Sequence, residues 1–325
     1  MLTRKAHKID KENSISELFP LKIGNHEQWI YIRGEDRSKP VLLMIHGGPG
    51  AAQIGFIRRF QKKFEKHFVV VNWDQRGAGL SYNKSIPPET MTIDRFVDDT
   101  IELTKYLRKQ FKQEKIYLIG HSWGTIIGLL AVYKEPSLYY RYFGVAQLID
   151  YIAGEQLSYQ YVLEKAKQAN NQKAIKKLIK IGMPPWNDLK KDKVHQKYVE
   201  VFRGGMSYEG NLINKILKEL LIGVEYTLMD MVNHIKGQFF SLNMLQDEMK
   251  TVNLNNVIHE VKIPIYFCMG KYDLTIPYEP TQAFFKNVSA SEKHWIWFEH
   301  SAHSPMFEEK EKFLTLLLKE TKKDR

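Results

Sequence analysis

A chain of 325 residues with 43% hydrophobic content can bury a large core, either as one α/β domain carrying an insertion or as two domains. Its single cysteine, Cys268, excludes an internal disulfide and suits a reducing compartment. The net charge of +11 invites a nucleic-acid reading, but lysines alternate with acids and no aromatic-basic interleave accompanies them, so a solvated surface is expected and nucleic acid is not.

The first twenty residues are polar and charged, without the apolar stretch of a signal peptide, and no later run approaches the length of a membrane span. A cytoplasmic protein without stable membrane insertion is expected. Residues 1–13 read as a flexible charged arm, and residues 18–23 and 28–33 as a strand pair turning at Gly24-Asn25. Residues 41–45 form a continuous apolar run of the kind found in a buried parallel strand, and it leads into His46-Gly47-Gly48-Pro49-Gly50. Such a loop at a strand end brings bare backbone N–H groups to a ligand and fits half of an oxyanion hole; a phosphate loop is disfavoured because no Gly-Lys-Ser/Thr follows.

The next strand, 68–73, ends in Asp74-Gln75-Arg76-Gly77-Ala78-Gly79-Leu80-Ser81, where Asp74 and Arg76 are expected to fix the loop. A helix over 92–111 precedes a strand at 116–119, the turn Gly120-His121-Ser122-Trp123-Gly124, and a helix over 125–133. A further strand is predicted at 142–148. From 150 to 250 the rhythm changes to helical runs at 155–169, 172–180, 188–202, 212–222 and 226–240. The run at 172–180 is a basic amphipathic helix expected to pack on the protein. Strands resume at 263–269, ending in Gly270-Lys271-Tyr272-Asp273, and at 294–299, followed by His300-Ser301-Ala302-His303-Ser304-Pro305 and a helix over 308–319. Residues 14–149 and 251–325 thus read as one catalytic domain with a mostly parallel sheet and helices on both faces, and 150–250 as a helical cap.

Ser122 would sit on a sharp strand-to-helix turn that lifts Oγ above the sheet edge. A serine hydroxyl needs a base, and the base needs an acid to hold its tautomer. Asp273 and His303 follow later strand ends in the order Ser, Asp, His. His300 competes with His303 as base, and the pair raises a metal reading, but no further ligand motif completes a coordination shell. No metal and no cofactor are expected. His121 is read as structural.

These motifs, with Gly79, Ser81 and Glu308, resemble the prolyl aminopeptidase (proline iminopeptidase) family of α/β-hydrolases. The resemblance implies an α/β-hydrolase fold, Ser122 as nucleophile, Asp273 and His303 as its partners, and the backbone N–H groups of Trp123 and Gly48 as the oxyanion hole. Family members that release N-terminal proline carry cap acids in a Trp-Glu pair and a Glu-Asn-His-Tyr-Phe-like stretch. The corresponding passages here are Tyr198-Val199-Glu200 and Val232-Asn233-His234-Ile235, the second without its acid. Glu200, Glu209, Glu225 and Asp230 are the candidate amine ligands; Glu200, Glu225, Trp186 and Tyr226 are expected to bind substrate. The function expected is a serine hydrolase working through an acyl-enzyme, an aminopeptidase removing proline or another small apolar residue from short peptides or aminoacyl amides. The alternatives are an ester or lactone hydrolase with the same triad, and a triad-bearing ligand-binding protein with little turnover.

Overall fold

Val41–Ile45 and Val69–Asp74 are buried along their whole length, which suits strands covered on both faces. In the computed structural model, which describes residues 4–324, they stand near the middle of an eight-stranded sheet. The strands are β1 (Ile15–Ile23), β2 (His26–Gly34), β3 (Val41–Ile45), β4 (Val69–Asp74), β5 (Ile116–His121), β6 (Tyr139–Val145), β7 (Glu260–Val261), β8 (Ile265–Gly270), β9 (Ser289–Ala290) and β10 (Lys293–Phe298). The sheet runs β1-β2-β4-β3-β5-β6-β8-β10, with β7 and β9 forming a separate small pair. β2 meets β1 and β4 antiparallel, and every later pairing is parallel. The carboxyl ends of β3, β4, β5, β8 and β10 therefore share one edge, where ligands bind in open α/β sheets.

The helices are α1 (Arg58–Gln61), α2 (Ile93–Phe111), α3 (Trp123–Lys134), α4 (Tyr151–Gln168), α5 (Gln172–Ile181), α6 (Leu189–Val201), α7 (Leu212–Ile222), α8 (Leu228–Met249), α9 (Tyr278–Asn287), α10 (Pro305–Glu308) and α11 (Lys310–Thr321). Alternation along the strands splits the core into two. Leu43, Val71 and Leu118 pack with Phe96 of α2 and Ile127 of α3, whereas Leu42, Val70 and Tyr117 pack with Phe313 and Leu317 of α11. Helix α2 starts where the Thr92 side chain accepts from Arg95 N–H and stops where Lys112 turns left-handed at φ 52°.

Helices α4 to α8 stand between β6 and β7, and α4, α6, α7 and α8 contribute to the wall of the cavity above the strand ends. Helix α5 buries Ala174, Leu178 and Ile181 in a small core with Val162 and Val199, so the basic helix packs on the protein. No described helix is long and apolar enough to cross a membrane.

Several boundaries differ from the periodicity. The strand expected at 142–148 is Tyr139–Val145, because Ala146 adopts φ 50° and ends the ladder. Helix α8 starts at a capping box between Thr227 and Asp230 and continues to Met249. The helix expected at 308–319 is split into α10 and α11 at Glu309. Of the arm, residues 1–3 lie outside the described residues, and the rest is tied down rather than loose. Arg4 pairs with Asp230 at 2.6 Å and lies over the Trp29 ring, and Lys5 N–H donates to Val224 O.

The loop after β4 is fixed by buried charge. Arg76 Nε donates to Asp99 Oδ2 at 3.0 Å, and its Nη2 reaches both Ile23 O and Gly24 O, clamping the β1–β2 turn onto α2. Asp99→Ala would leave Arg76 buried without a counterion. The expected loss is about 3–5 kcal/mol of unfolding free energy, measured as a lower urea midpoint at unchanged m-value.

Candidate active site

Ser122 follows β5 and precedes α3 with φ 54° and ψ −122°, a conformation costly for a residue with a Cβ. Two glycines allow it. A Cβ on Gly124 would lie 2.5 Å from Ile45 O, and one on Gly120 would lie 2.6 Å from Gly124 O, so only bare backbone lets α3 start this close to β3. The strained turn is held by Ser122 N–H donating to Val145 O and Thr125 N–H donating to Ser122 O.

Asp273 lies just past β8 and His303 past β10. His303 Nδ1 donates to Asp273 Oδ2 at 2.9 Å, and Asp273 Oδ1 accepts from the N–H groups of Thr275 and Ile276. This leaves His303 Nε2 as the free ring nitrogen of the neutral imidazole. Ser122 and His303 line one cavity of about 480 Å³. No hydrogen bond joins Ser122 Oγ to His303 Nε2, a contact that commonly tightens only when substrate is bound. Burial presses the His303 pKa down, but the Asp273 carboxylate, helped by Glu200 and Glu308, more than offsets it, and the net shift is upward. His300 is exposed and sits outside the cavity, its backbone N–H donating to Glu309. His121 is buried and kept neutral, with its pKa pushed down to about 3 mainly by burial; its Nε2 lies 2.8 Å from His303 O and supports the His303 loop.

Trp123 and Gly48 also line the cavity, Trp123 as the first residue of α3, where backbone N–H groups have no intrahelical partner. A residue that periodicity did not single out ties their two loops together. Gln75 Oε1 accepts from Trp123 Nε1 at 3.1 Å, its Nε2 donates to His46 O at 2.9 Å, and its backbone N–H donates to His46 Nε2. Gln75→Ala should lower kcat about tenfold to a hundredfold, as for a displacement approaching an ångström, with KM little changed in steady-state assays.

The cap residues divide. Glu200 and Trp186 are on the cavity wall, and Glu200 accepts from Met206 N–H at 2.8 Å. Glu225 and Tyr226 are not, contrary to expectation. Glu225 is buried against Tyr31 OH and Arg58 Nε, and the Tyr226 hydroxyl donates to the buried Asp74 carboxylate. Both side chains are held by partners on the sheet domain. Asp230 is taken by Arg4 and its own capping box, and Glu209 is exposed off the wall. Four acids that sequence reasoning did not single out, Asp150, Glu155, Asp188 and Asp192, also line the cavity.

A family model for the alpha/beta hydrolase fold matches residues 40–173. A probable aminopeptidase, YbaC of Bacillus subtilis (strain 168), is 38% identical over 311 residues, 95% of this chain and 97% of that protein. The chain belongs to the α/β-hydrolase family. A proline iminopeptidase of Clostridioides difficile (strain 630) is 26% identical to this hydrolase over 294 residues, 88% of the chain and 91% of that protein. The crystal structure of a proline iminopeptidase-related protein from Thermus thermophilus superposes with a TM-score of 0.65 at 18% identity, covering 93% of this chain and 96% of that one, a likeness of fold. The hydrolase is thus aminopeptidase-like by its relatives.

Proposed function

We propose that this hydrolase is a cytoplasmic serine aminopeptidase that releases the N-terminal residue of short peptides or aminoacyl amides through an acyl-enzyme. The observation that carries the reading is the Asp273–His303 hydrogen bond, with His303 on the wall of the cavity that the strained Ser122 also lines. His303 Nε2 takes the Ser122 Oγ proton as Oγ attacks the substrate carbonyl, and Asp273 holds the imidazole in that tautomer and stabilises the imidazolium. The N–H groups of Trp123 and Gly48 receive the developing oxyanion. His303 passes the proton to the leaving amine, then activates a water that releases the acid.

A cavity of about 480 Å³ beneath the cap helices suits the end of a peptide rather than its middle. The single, buried Cys268 fits a reducing compartment. The test compares an aminoacyl arylamide bearing a free amine with its N-acetylated twin. Cleavage of the free form alone supports an aminopeptidase; cleavage of both or of neither, while a short aryl ester is cleaved, would move the hydrolase to the ester-hydrolase alternative.

A further inference from the structure

Helix α8 inverts the usual pattern of a surface helix. Up to Ser241 its buried residues are polar or small. Asp230 is held by Arg4 and the capping box, Ser241 Oγ donates to Gly77 O at 3.1 Å, and a Cβ on Gly237 would lie 2.6 Å from the same oxygen. The outward side is apolar. Leu228, Val232, Ile235 and Phe239 recur at spacings of four, three and four, which sets them in one stripe, and they are 70%, 44%, 57% and 43% exposed. Helix α7 turns Leu212 and Glu219 inward and leaves Ile213, Leu217 and Leu221, four apart, in solvent. Among the described residues, most of the large hydrophobic side chains left exposed belong to these two helices, a clustering that singly scattered surface residues do not show.

The charge around these stripes has one sign. Residues 212–244 contain three acids, all buried and already paired: Glu219 with Arg59, Glu225 with Arg58 and Asp230 with Arg4. The three lysines of the stretch, Lys215, Lys218 and Lys236, are exposed, and among the described residues none has a carboxylate partner within 4.0 Å. Lys193 of α6 adds a fourth cation, its ammonium 4.7 Å from the centre of the Phe239 ring. A second copy of the chain would set lysine against lysine, with no exposed acid in the stretch to answer it. A nucleic acid would meet the lysines but leave the aliphatic stripes in water. An anionic lipid surface satisfies both, its phosphates meeting the ammonium groups and its acyl boundary taking the apolar side chains.

We propose that the outward faces of α7 and α8 dock this hydrolase reversibly on a bilayer rich in anionic phospholipid. The protein lies on the surface, since no described helix is long and apolar enough to cross it. The leaflet that faces the cytoplasm carries the anionic lipid, so the surface matches the cytoplasmic placement proposed above. The same helices reach the catalytic cavity through Ile216, His234 and Gln238, residues outside the exposed stripes. One pair of helices thus carries the membrane face on one side and cavity wall on another. Docking needs no turnover, so it stands or falls apart from the aminopeptidase reading.

The experiment is co-sedimentation of the full chain with vesicles of phosphatidylglycerol and phosphatidylcholine in equal parts, and with phosphatidylcholine alone, in about 0.1 M salt. The wild type should bind the mixed vesicles about tenfold or more tightly than the neutral ones, and about 1 M salt should remove that preference. Leu228→Gln combined with Ile235→Gln should weaken binding to mixed vesicles about tenfold or more through lost apolar burial. Lys215→Gln combined with Lys218→Gln should weaken it about fivefold per lysine. All four side chains face solvent and lie off the cavity wall, so both double variants should keep the wild-type urea midpoint. Equal binding to the two kinds of vesicle, binding to neither, or wild-type binding by both double variants overturns the proposal. A wild-type dimer in sedimentation velocity that Leu228→Gln with Ile235→Gln converts to monomer overturns it in favour of a second copy.

Discussion

Replacing Ser122 by alanine is expected to lower turnover on the order of a millionfold, to the residue of catalysis that binding and oxyanion stabilisation provide. Ser122 is the hydroxyl on the cavity wall carried by a positive-φ turn at the carboxyl edge of the sheet. Alanine keeps the Cβ and hence the strained backbone, so the variant should fold like the wild type. Ser122→Gly makes the second half of the prediction. Glycine adopts φ 54° at little cost, so that variant should be equally inactive yet more stable by about 1 kcal/mol or more, because strain of this kind costs about 1–3 kcal/mol. Single-turnover kinetics and urea unfolding of the two variants check both halves. Measurable turnover by Ser122→Ala above the oxyanion-hole residue would remove Ser122 from the nucleophile's role.

Asp273→Asn should cost about 10⁴ in kcat, since an amide can accept from His303 Nδ1 only as a neutral partner and can instead present N–H to it, favouring the wrong tautomer. The pH profile carries the sharper signature. His303 acts as base only when neutral, so activity falls as pH drops through its pKa. The Asp273 carboxylate raises that pKa against the opposing effect of burial, placing the acid limb of kcat/KM above the ordinary imidazole value. Without the carboxylate, burial acts with less opposition, so the residual activity of Asp273→Asn should show its acid limb at lower pH than the wild type. An acid limb that stays in place would assign it to another group.

The elements that carry chemistry were legible because each depends on neighbours in sequence. An apolar strand followed by Gly120-His121-Ser122-Trp123-Gly124 can hardly close its turn otherwise, and β3, β5, β8 and β10 each end in a polar or glycine-rich stretch that a parallel sheet gathers at one edge. Arg76 and Asp74 read as loop-fixing residues, and they pair with Asp99 and with backbone N–H groups. Helix α9 went unread because Tyr278-Glu279-Pro280 places a proline in its first turn, where it is tolerated but resembles a breaker.

Substrate contacts were less legible for a different reason. Glu225 and Tyr226 look like pocket residues in a helical insertion, but their partners Tyr31, Arg58 and Asp74 lie far back in the chain and draw them into the interface with the sheet. Asp192 and His195, three apart on α6, share a face by helical spacing alone. That this face meets Glu155 of α4, and that Asp192 but not His195 reaches the cavity, follows only from how α4 and α6 pack.

The sequence by itself determined the fold class, the strained turn at Ser122 and the placing of Asp273 and His303 after successive later strands, because these follow from local sterics and from hydrophobic periodicity. The tertiary structure decided which acids face the cavity and which are spent on ion pairs. A carboxylate's role depends on the donor it meets, and here those donors come from distant segments of the chain.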